Sequence, residues 1–169
     1  MKKFISIILS IIIVLSMSTT AYAAESSHSD DVIYVNTEKK QVGSFTIDEI
    51  KKSPLISDEA TYSLYATRFF SFNNTPYNNI MSDFVEFEVQ QGEEVRLTVT
   101  NSTWYPHTCD IEIGIYNVDD GLDYCETVSG GDYSGTMVFG DMDEATYIVY
   151  VRNVSRATIS QGSIRYSIS

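Results

Sequence analysis

Residues 109–116 read Cys109-Asp110-Ile111-Glu112-Ile113-Gly114-Ile115-Tyr116, with isoleucine at every second position in the middle of the segment. Side chains of a β-strand alternate between two faces, so this pattern predicts a half-buried strand. Similar alternation occurs over residues 95–100, 146–151 and 163–168. Because no convincing long amphipathic helix accompanies these runs, the predicted fold is all-β. It is an antiparallel β-sandwich, jelly-roll-like and single-domain.

The remaining predicted strands and turns extend this arrangement in both directions. Residues 62–72 are predicted to form the first long strand, with one face made by Tyr62, Leu64, Ala66 and Phe70. Residues 85–89 alternate in the same way and are predicted to form a hairpin with residues 95–100 through Gln90-Gln91-Gly92-Glu93. Asp119-Asp120-Gly121 predicts a second hairpin turn after the central strand.

The N-terminus indicates export. Lys2 and Lys3 precede an apolar run over residues 4–15, and Ala21-Tyr22-Ala23 places small residues where a signal peptidase cleaves. Residues 1–23 are therefore predicted to be a signal peptide removed after Ala23. An uncleaved membrane anchor is the alternative, although the run is short for a membrane-spanning helix. We expect a secreted, extracellular protein that is associated with the cell wall or free, with no stable membrane insertion after signal removal.

Length and charge restrict the remaining choices. Residues 24–60 are predicted to be a flexible leader and an irregular N-terminal segment, and residues 61–169 one β-sandwich domain. The chain carries 23 acidic and 11 basic side chains and a net charge of −12. Loss of Lys2 and Lys3 with the signal peptide leaves nine basic residues and a net charge of −14. Such a charge disfavours nucleic acid and anionic membranes as partners.

The second half of the chain contains a series of spaced apolar and aromatic residues: Phe87-x-Val89-x-x-Gly92-x-x-Val95-x-Leu97-x-Val99, Asp110-x-x-Ile113-x-Ile115-Tyr116, Tyr147-x-Val149-x-Val151 and Tyr166-x-Ile168. In this pattern it resembles the bacterial pre-peptidase C-terminal domain. That family usually has a glycine before the tyrosine of the later strand, where this chain has Ala145-Thr146. The resemblance implies a small secreted sandwich that is accessory to peptidases, sometimes calcium-dependent and sometimes substrate-binding.

A catalytic constellation is not evident in the sequence. His28 lies in the predicted leader and His107 in a turn-like segment, and neither belongs to a hydrolase motif. Glu86 and Glu88 could act as a glycosidase pair, but alternating acids are ordinary on a solvated strand face. The sequence thus predicts a non-catalytic binding or accessory module acting at the cell envelope or on an extracellular polysaccharide or protein. A cryptic extracellular hydrolase and a structural subunit of a surface assembly are the alternatives.

Two covalent or metal features are also predicted. Cys109 and Cys125 are expected to form a disulfide, because an exported chain with two cysteines usually joins them. A tight turn at Asp120-Gly121 would not place these cysteines opposite each other, so the bond requires an irregular loop or a cross-sheet placement. No cofactor is required, but calcium is a candidate ligand of the acidic turns, with oxygen donors from Asp119, Asp120, Asp123, Asp141 and Asp143.

The predicted binding site is the segment Asn101-Ser102-Thr103-Trp104-Tyr105-Pro106-His107, which joins two predicted strands. Trp104 and Tyr105 could stack on a sugar ring or anchor a protein, while Asn101 and His107 offer hydrogen bonds. In the alternative interpretation, Trp104 folds back as a lid over the end of the core. Its burial in the folded protein distinguishes the two.

Overall fold

The computed structural model describes residues 31–38, 41–42, 45–52 and 68–169. These residues form a short 3-10 helix, Ile47–Glu49, and twelve strands. The strands are β1 (Val32–Val35), β2 (Gln41–Val42), β3 (Ile50–Lys52), β4 (Arg68–Thr75), β5 (Ile80–Ser82), β6 (Phe87–Val89), β7 (Val95–Tyr105), β8 (Ile111–Asn117), β9 (Leu122–Val128), β10 (Asp132–Phe139), β11 (Ala145–Arg152) and β12 (Thr158–Ile168).

The strands form two sheets that pack face to face. The five-stranded sheet has the order β1-β10-β7-β12-β4, and the seven-stranded sheet has the order β2-β9-β8-β11-β5-β3, with β6 also pairing with β11. Most pairs are antiparallel; β1 with β10 and β3 with β5 are parallel. The predicted all-β sandwich is confirmed. Among the described residues, none of the helical structure is long and apolar enough to cross a membrane.

The predicted alternation of side chains fills the space between the sheets. Ile111, Ile113 and Ile115 point inward from β8 and are fully buried in the core cluster. Leu97 on β7 and Ile164 on β12 enter the same cluster from the five-stranded sheet. Apolar burial of this kind is the main stabilising contribution to the fold.

The predicted hairpin of residues 85–89 with 95–100 is wrong. Strand β6 pairs with β11 in the seven-stranded sheet, whereas β7 lies in the other sheet. The turn between them is a corner fixed by the loop before β11: the Gly92 N–H donates to the Met142 carbonyl at 2.8 Å, and the Met142 N–H donates to the Glu93 carbonyl at 3.1 Å. The sequence identifies this turn but not the sheet to which each strand belongs.

The described strands that precede residue 53 belong to the sandwich. Strand β1 pairs with β10, β2 with β9 and β3 with β5, so the predicted irregular segment of residues 24–60 contributes three strands. Of the predicted strand over residues 62–72, Phe70 points inward as expected. Tyr62, Leu64 and Ala66 lie outside the described residues, as does the predicted signal peptide.

Strand β12 lies between β7 and the edge strand β4 in the five-stranded sheet. It pairs with β7 on one side and with β4 on the other, over most of its length. Its register with β7 shifts between Ile159 and Gln161 and again between Gln161 and Ser163. These irregularities accompany a bulge in β7 and fix which residues of both strands face outward.

Candidate functional site

Trp104 cannot contribute an exposed ring to the predicted binding site. Its side chain is 1% exposed and belongs to the inner core. The indole Nε1–H donates a hydrogen bond to the Cys109 carbonyl at 2.7 Å, which satisfies its polar atom inside the protein. The structure therefore corrects the ligand-binding prediction for Trp104 and agrees with the alternative, in which the ring closes the end of the core.

The other members of the predicted site remain accessible. Tyr105 is 69% exposed, and its ring contacts that of His107 edge to face at a centroid distance of 5.7 Å. Asn101 is exposed in a left-handed conformation with φ of 52°, and its N–H donates to the Ser134 hydroxyl at 3.0 Å. Tyr105, His107 and Asn101 thus lie at the surface without the aromatic partner that the sequence suggested.

The predicted disulfide is also wrong, because no bond joins Cys109 to Cys125. Cys125 lies opposite Gly114 in the β8–β9 pair, whereas Cys109 precedes Ile111, whose partner is Val128. This register separates the cysteines by about 17 Å along the strands, while a disulfide needs Cα atoms within about 7 Å. The side chains also face opposite sides of the sheet, since Cys109 packs on the inner core and Cys125 on an outer cluster.

The first predicted calcium turn uses its carboxylates within the protein. Asp119 Oδ2 accepts a hydrogen bond from the Thr146 N–H at 2.8 Å, and Asp120 Oδ1 accepts one from the Leu122 N–H at 3.0 Å. Asp123 lies beyond the turn, in β9, and is fully buried. These are ordinary uses of Asp in a turn and do not converge on one point.

The second predicted calcium turn lies before β11. Asp141 is exposed with φ of 52°, and the Asp143 carbonyl accepts a hydrogen bond from the Tyr147 hydroxyl at 3.1 Å. Within the part of the chain that the structure describes, no group of three or more His, Cys, Asp or Glu residues could hold a metal ion. Calcium binding stays a prediction, and the arrangement of these carboxylates adds nothing to it.

A cleft of about 480 Å³ opens beside β6, and its lining consists of Phe84, Val85, Glu86, Phe87, Glu88 and Thr146. Glu86 and Glu88 are the paired carboxylates considered for a glycosidase. Phe84 is 37% exposed with φ of 56°, a conformation that bulky residues rarely adopt. Neighbouring Asp83 is buried, accepts a hydrogen bond from Tyr166 at 2.7 Å, and has its pKa raised by that burial.

The outer surface of the seven-stranded sheet, which we call the covered face, lies beneath residues 45–50. Phe45 packs there against Tyr116 and Tyr150, at ring-centroid distances of 5.3 and 5.0 Å. The Arg152 guanidinium lies 5.4 Å from the centre of the Phe45 ring and 3.3 Å from Glu112. These contacts make a second apolar cluster outside the main core.

Ionisable groups are buried within the covered face. The Tyr150 hydroxyl donates to Asp123 Oδ2 at 3.0 Å, and neither residue is exposed. Burial raises the pKa values of Asp123 and Glu112, and it raises the pKa of the Cys125 thiol to about 12. Since Cys125 is protonated at neutral pH, it is a poor nucleophile.

The outer surface of the five-stranded sheet, which we call the open face, has the opposite character. It comprises the outward residues of β1, β10, β7, β12 and β4, and its cross-strand pairs place Val32, Thr136, Thr98, Arg165 and Phe69 in one row. Four strand spacings make this row about 19 Å wide. Phe69 is 61% exposed and Val32 is 46% exposed, so the row has an accessible apolar residue at each end.

Two further aromatic residues lie on the open face. Tyr34 follows Val32 on β1 and is 76% exposed. Tyr105 is at the far end of β7, where Trp104 is buried and Tyr105 points outward. Sequence reasoning found Tyr105 but missed Tyr34, Phe69 and Arg165. The sequence did contain a signal for these residues. In the strands of this sheet, the positions that alternate with the buried ones hold hydroxyl, arginine and aromatic side chains, although the chain as a whole is acidic.

Comparisons of the chain with models of protein families and with curated proteins give no match.

Proposed function

We propose that the protein is a secreted, non-catalytic binding or accessory module, acting at the cell envelope or on an extracellular polysaccharide or protein through its open face. The observation that carries the proposal is the set of exposed aromatics on this face. Tyr34, Phe69 and Tyr105 are each more than half exposed on a sheet of ordered strands. Aromatic side chains exposed on a rigid element supply binding area at a low entropic cost.

Three described groups that could serve in catalysis, Cys125, Asp83 and Asp123, are held in structural positions. The Cys125 thiol has a pKa of about 12 and is held in the covered face. Asp83 and Asp123 are buried and bonded to tyrosine hydroxyls, which leaves them without access to a substrate. A nucleophile or general base must reach the reacting atom, so these residues favour a structural role.

Export is supported by the sequence alone. The apolar run and the Ala21-Tyr22-Ala23 site predict that the mature protein begins at Ala24. The likeness to pre-peptidase C-terminal domains points in the same direction, toward an accessory module. The intact mass of the protein collected from the culture medium tests this part of the proposal.

Binding is tested by retention of the mature chain on isolated cell wall and on insoluble glycans. The variants Phe69→Ala and Tyr34→Ala remove aromatic area from the open face. Truncation of an aromatic residue that anchors a ligand costs about 2 kcal/mol, so we expect retention to weaken by roughly 30-fold. Tyr77→Ala is the matched control, since Tyr77 is 57% exposed in the turn after β4 and away from the open face.

Equal retention of the parent and both open-face variants would place binding elsewhere on the molecule. Turnover of a polysaccharide that disappears in Glu88→Gln, a variant of the cleft beside β6, would favour the hydrolase alternative. Melting temperatures of all variants are measured in parallel, so that loss of retention is separated from loss of folding.

A further inference from the structure

We infer that the open face binds an anionic polysaccharide with carboxylate groups, lying across the strands from Phe69 toward β1. The inference rests on the proposed function and specifies its ligand. The five strands that make this sheet contain three arginines and one carboxylate, Asp132. The chain as a whole has a net charge of −12.

The cations on the open face are Arg96 and Arg165. They lie on the adjacent strands β7 and β12, where Arg165 is opposite Thr98 and Arg96 is opposite Ser167. This diagonal relation places their Cβ atoms within about 8 Å. Arg68, the third arginine, occupies a position of β4 that does not face outward. Its guanidinium donates to the Glu86 carbonyl at 2.9 Å, so it lies at the edge of the sheet and is not part of the open face.

Arg165 is the cation best placed to receive a ligand. It is exposed, and within the described residues it makes no ion pair, whereas Arg96 is bound to Glu94 at 2.7 Å. Asp132 is at the first position of β10, beyond the row that contains Arg165. A guanidinium group binds a carboxylate through two parallel hydrogen bonds, so its geometry matches a uronate group.

The neighbours of Arg165 suit a sugar polymer. Thr98 and Thr136 adjoin it in the row, with their hydroxyl oxygens 3.4 Å apart, and can exchange hydrogen bonds with sugar hydroxyls. Phe69 lies next to Arg165 on the other side, where its ring can cover the apolar face of a sugar. An extended chain across the row would meet these groups in turn.

A protein partner fits this surface less well. Protein interfaces usually have an apolar centre surrounded by a polar rim. The open face differs, since apart from the buried Val138 its middle presents threonines and arginines, and Val32 and Phe69 lie at its edges. A second copy of the chain would bring arginines against arginines and two net negative charges together, which opposes self-association.

The test measures binding of the mature chain to polygalacturonate and to its fully methyl-esterified form, which lacks the charge. We expect the parent to bind polygalacturonate more tightly, with an affinity that falls as salt is added. Arg165→Gln should weaken this binding by about tenfold or more, and leave binding to the ester unchanged. Arg156→Gln is the matched control, because it removes the same charge from an exposed residue outside the five strands.

The possible results distinguish failure of the proposed ligand from failure of the proposed function. Equal binding of both polymers, insensitive to Arg165→Gln but lost in Phe69→Ala, would overturn the anionic ligand and retain the open face as the binding surface. No retention on any polysaccharide or cell-wall preparation would overturn both. A dimer in sedimentation that becomes monomeric in Phe69→Ala would identify a second copy as the occupant and overturn the polysaccharide.

Discussion

The two outer faces of the sandwich differ in what lies over them. The covered face is packed beneath residues 45–50, with Phe45 against Tyr116 and Tyr150. The open face has no such segment over it among the described residues, and Phe69 projects from it with 61% of its surface exposed. A phenylalanine therefore lies at each outer face, but only Phe45 is packed against other side chains and buried.

The chemistry of the two faces follows from this difference. The covered face contains the buried Asp123 and the partly buried Glu112, whose pKa values are raised by desolvation. The open face contains Arg165 and hydroxyl groups that remain in water. A sheet face covered by its own chain can hold acids whose pKa values are raised by burial, while an uncovered face keeps charges that are available to a ligand.

The largest expected loss of stability comes from a substitution in the core between the two sheets, with which substitutions on the two outer faces can be compared. Trp104→Ala should lower the free energy of unfolding by about 4 kcal/mol, because it leaves a cavity and removes a buried hydrogen bond. Urea denaturation followed by circular dichroism measures the change. A loss below about 1 kcal/mol would mean that Trp104 does not close the core.

A smaller effect should distinguish the two phenylalanines. Phe45→Ala should cost about 3 kcal/mol of stability, since the ring is 5% exposed and packs on two tyrosines and Arg152. Phe69→Ala, at an exposed position, should change stability by no more than about 0.5 kcal/mol. The same denaturation experiment compares them, and equal losses would remove the distinction between covered and open faces.

The smallest effect should appear in the pH dependence of stability. Burial raises the pKa of Asp123 in the folded protein above its ordinary value of 3.8, so its contribution to stability is fully present below that value and is lost as pH rises through the folded-state pKa. Acidification from about pH 7 toward pH 4 should thus favour folding through this group. In Asp123→Asn the gain should be smaller, because the side chain is neutral throughout and still accepts from Tyr150.

Melting temperatures across this pH range measure the difference between the parent and Asp123→Asn. Asp141→Asn is the control, since Asp141 is exposed and asparagine tolerates its positive φ. An identical pH profile for the parent and Asp123→Asn would show that the carboxyl of Asp123 is not desolvated in the folded state.

The strands were predictable because burial imposes a period of two on them. Ile111, Ile113 and Ile115 are inward in the structure as the sequence suggests, and the turn at Asp119-Asp120-Gly121 does join β8 to β9. The partner of β6 was not predictable in this way. Alternation identifies the buried side of a strand, but the same pattern serves either sheet of a sandwich.

The orientation of Trp104 could not be read from alternation, because β7 contains a bulge. Val95, Leu97 and Val99 point inward, and continued alternation would turn Trp104 outward. Between Val99 and Ser102 the strand advances three residues while its partner β10 advances two. This extra residue, near Asn101 with its positive φ, reverses the parity and buries Trp104.

The open face was not identified from the sequence because its members are separated along the chain. Val32, Phe69 and Arg165 become neighbours in one row only through the pairing of β1 with β10 and of β4 with β12. Short strands such as β1 have little internal pattern, so their place depends on remote partners. The disulfide prediction was wrong for a related reason, since the register of β8 with β9 separates Cys109 from Cys125.

The position of β12 has a consequence for the kinetics of folding. Its residues 158–168 insert between residues 68–75 and 95–105, so the five-stranded sheet closes through contacts distant in sequence. Folding dominated by such contacts is slow, on the order of milliseconds to seconds. Until β12 is in place, β4 and β7 each present an unpaired edge that can recruit another chain. Refolding yield should therefore fall as protein concentration rises, and the row containing Arg165 forms only when this step is complete.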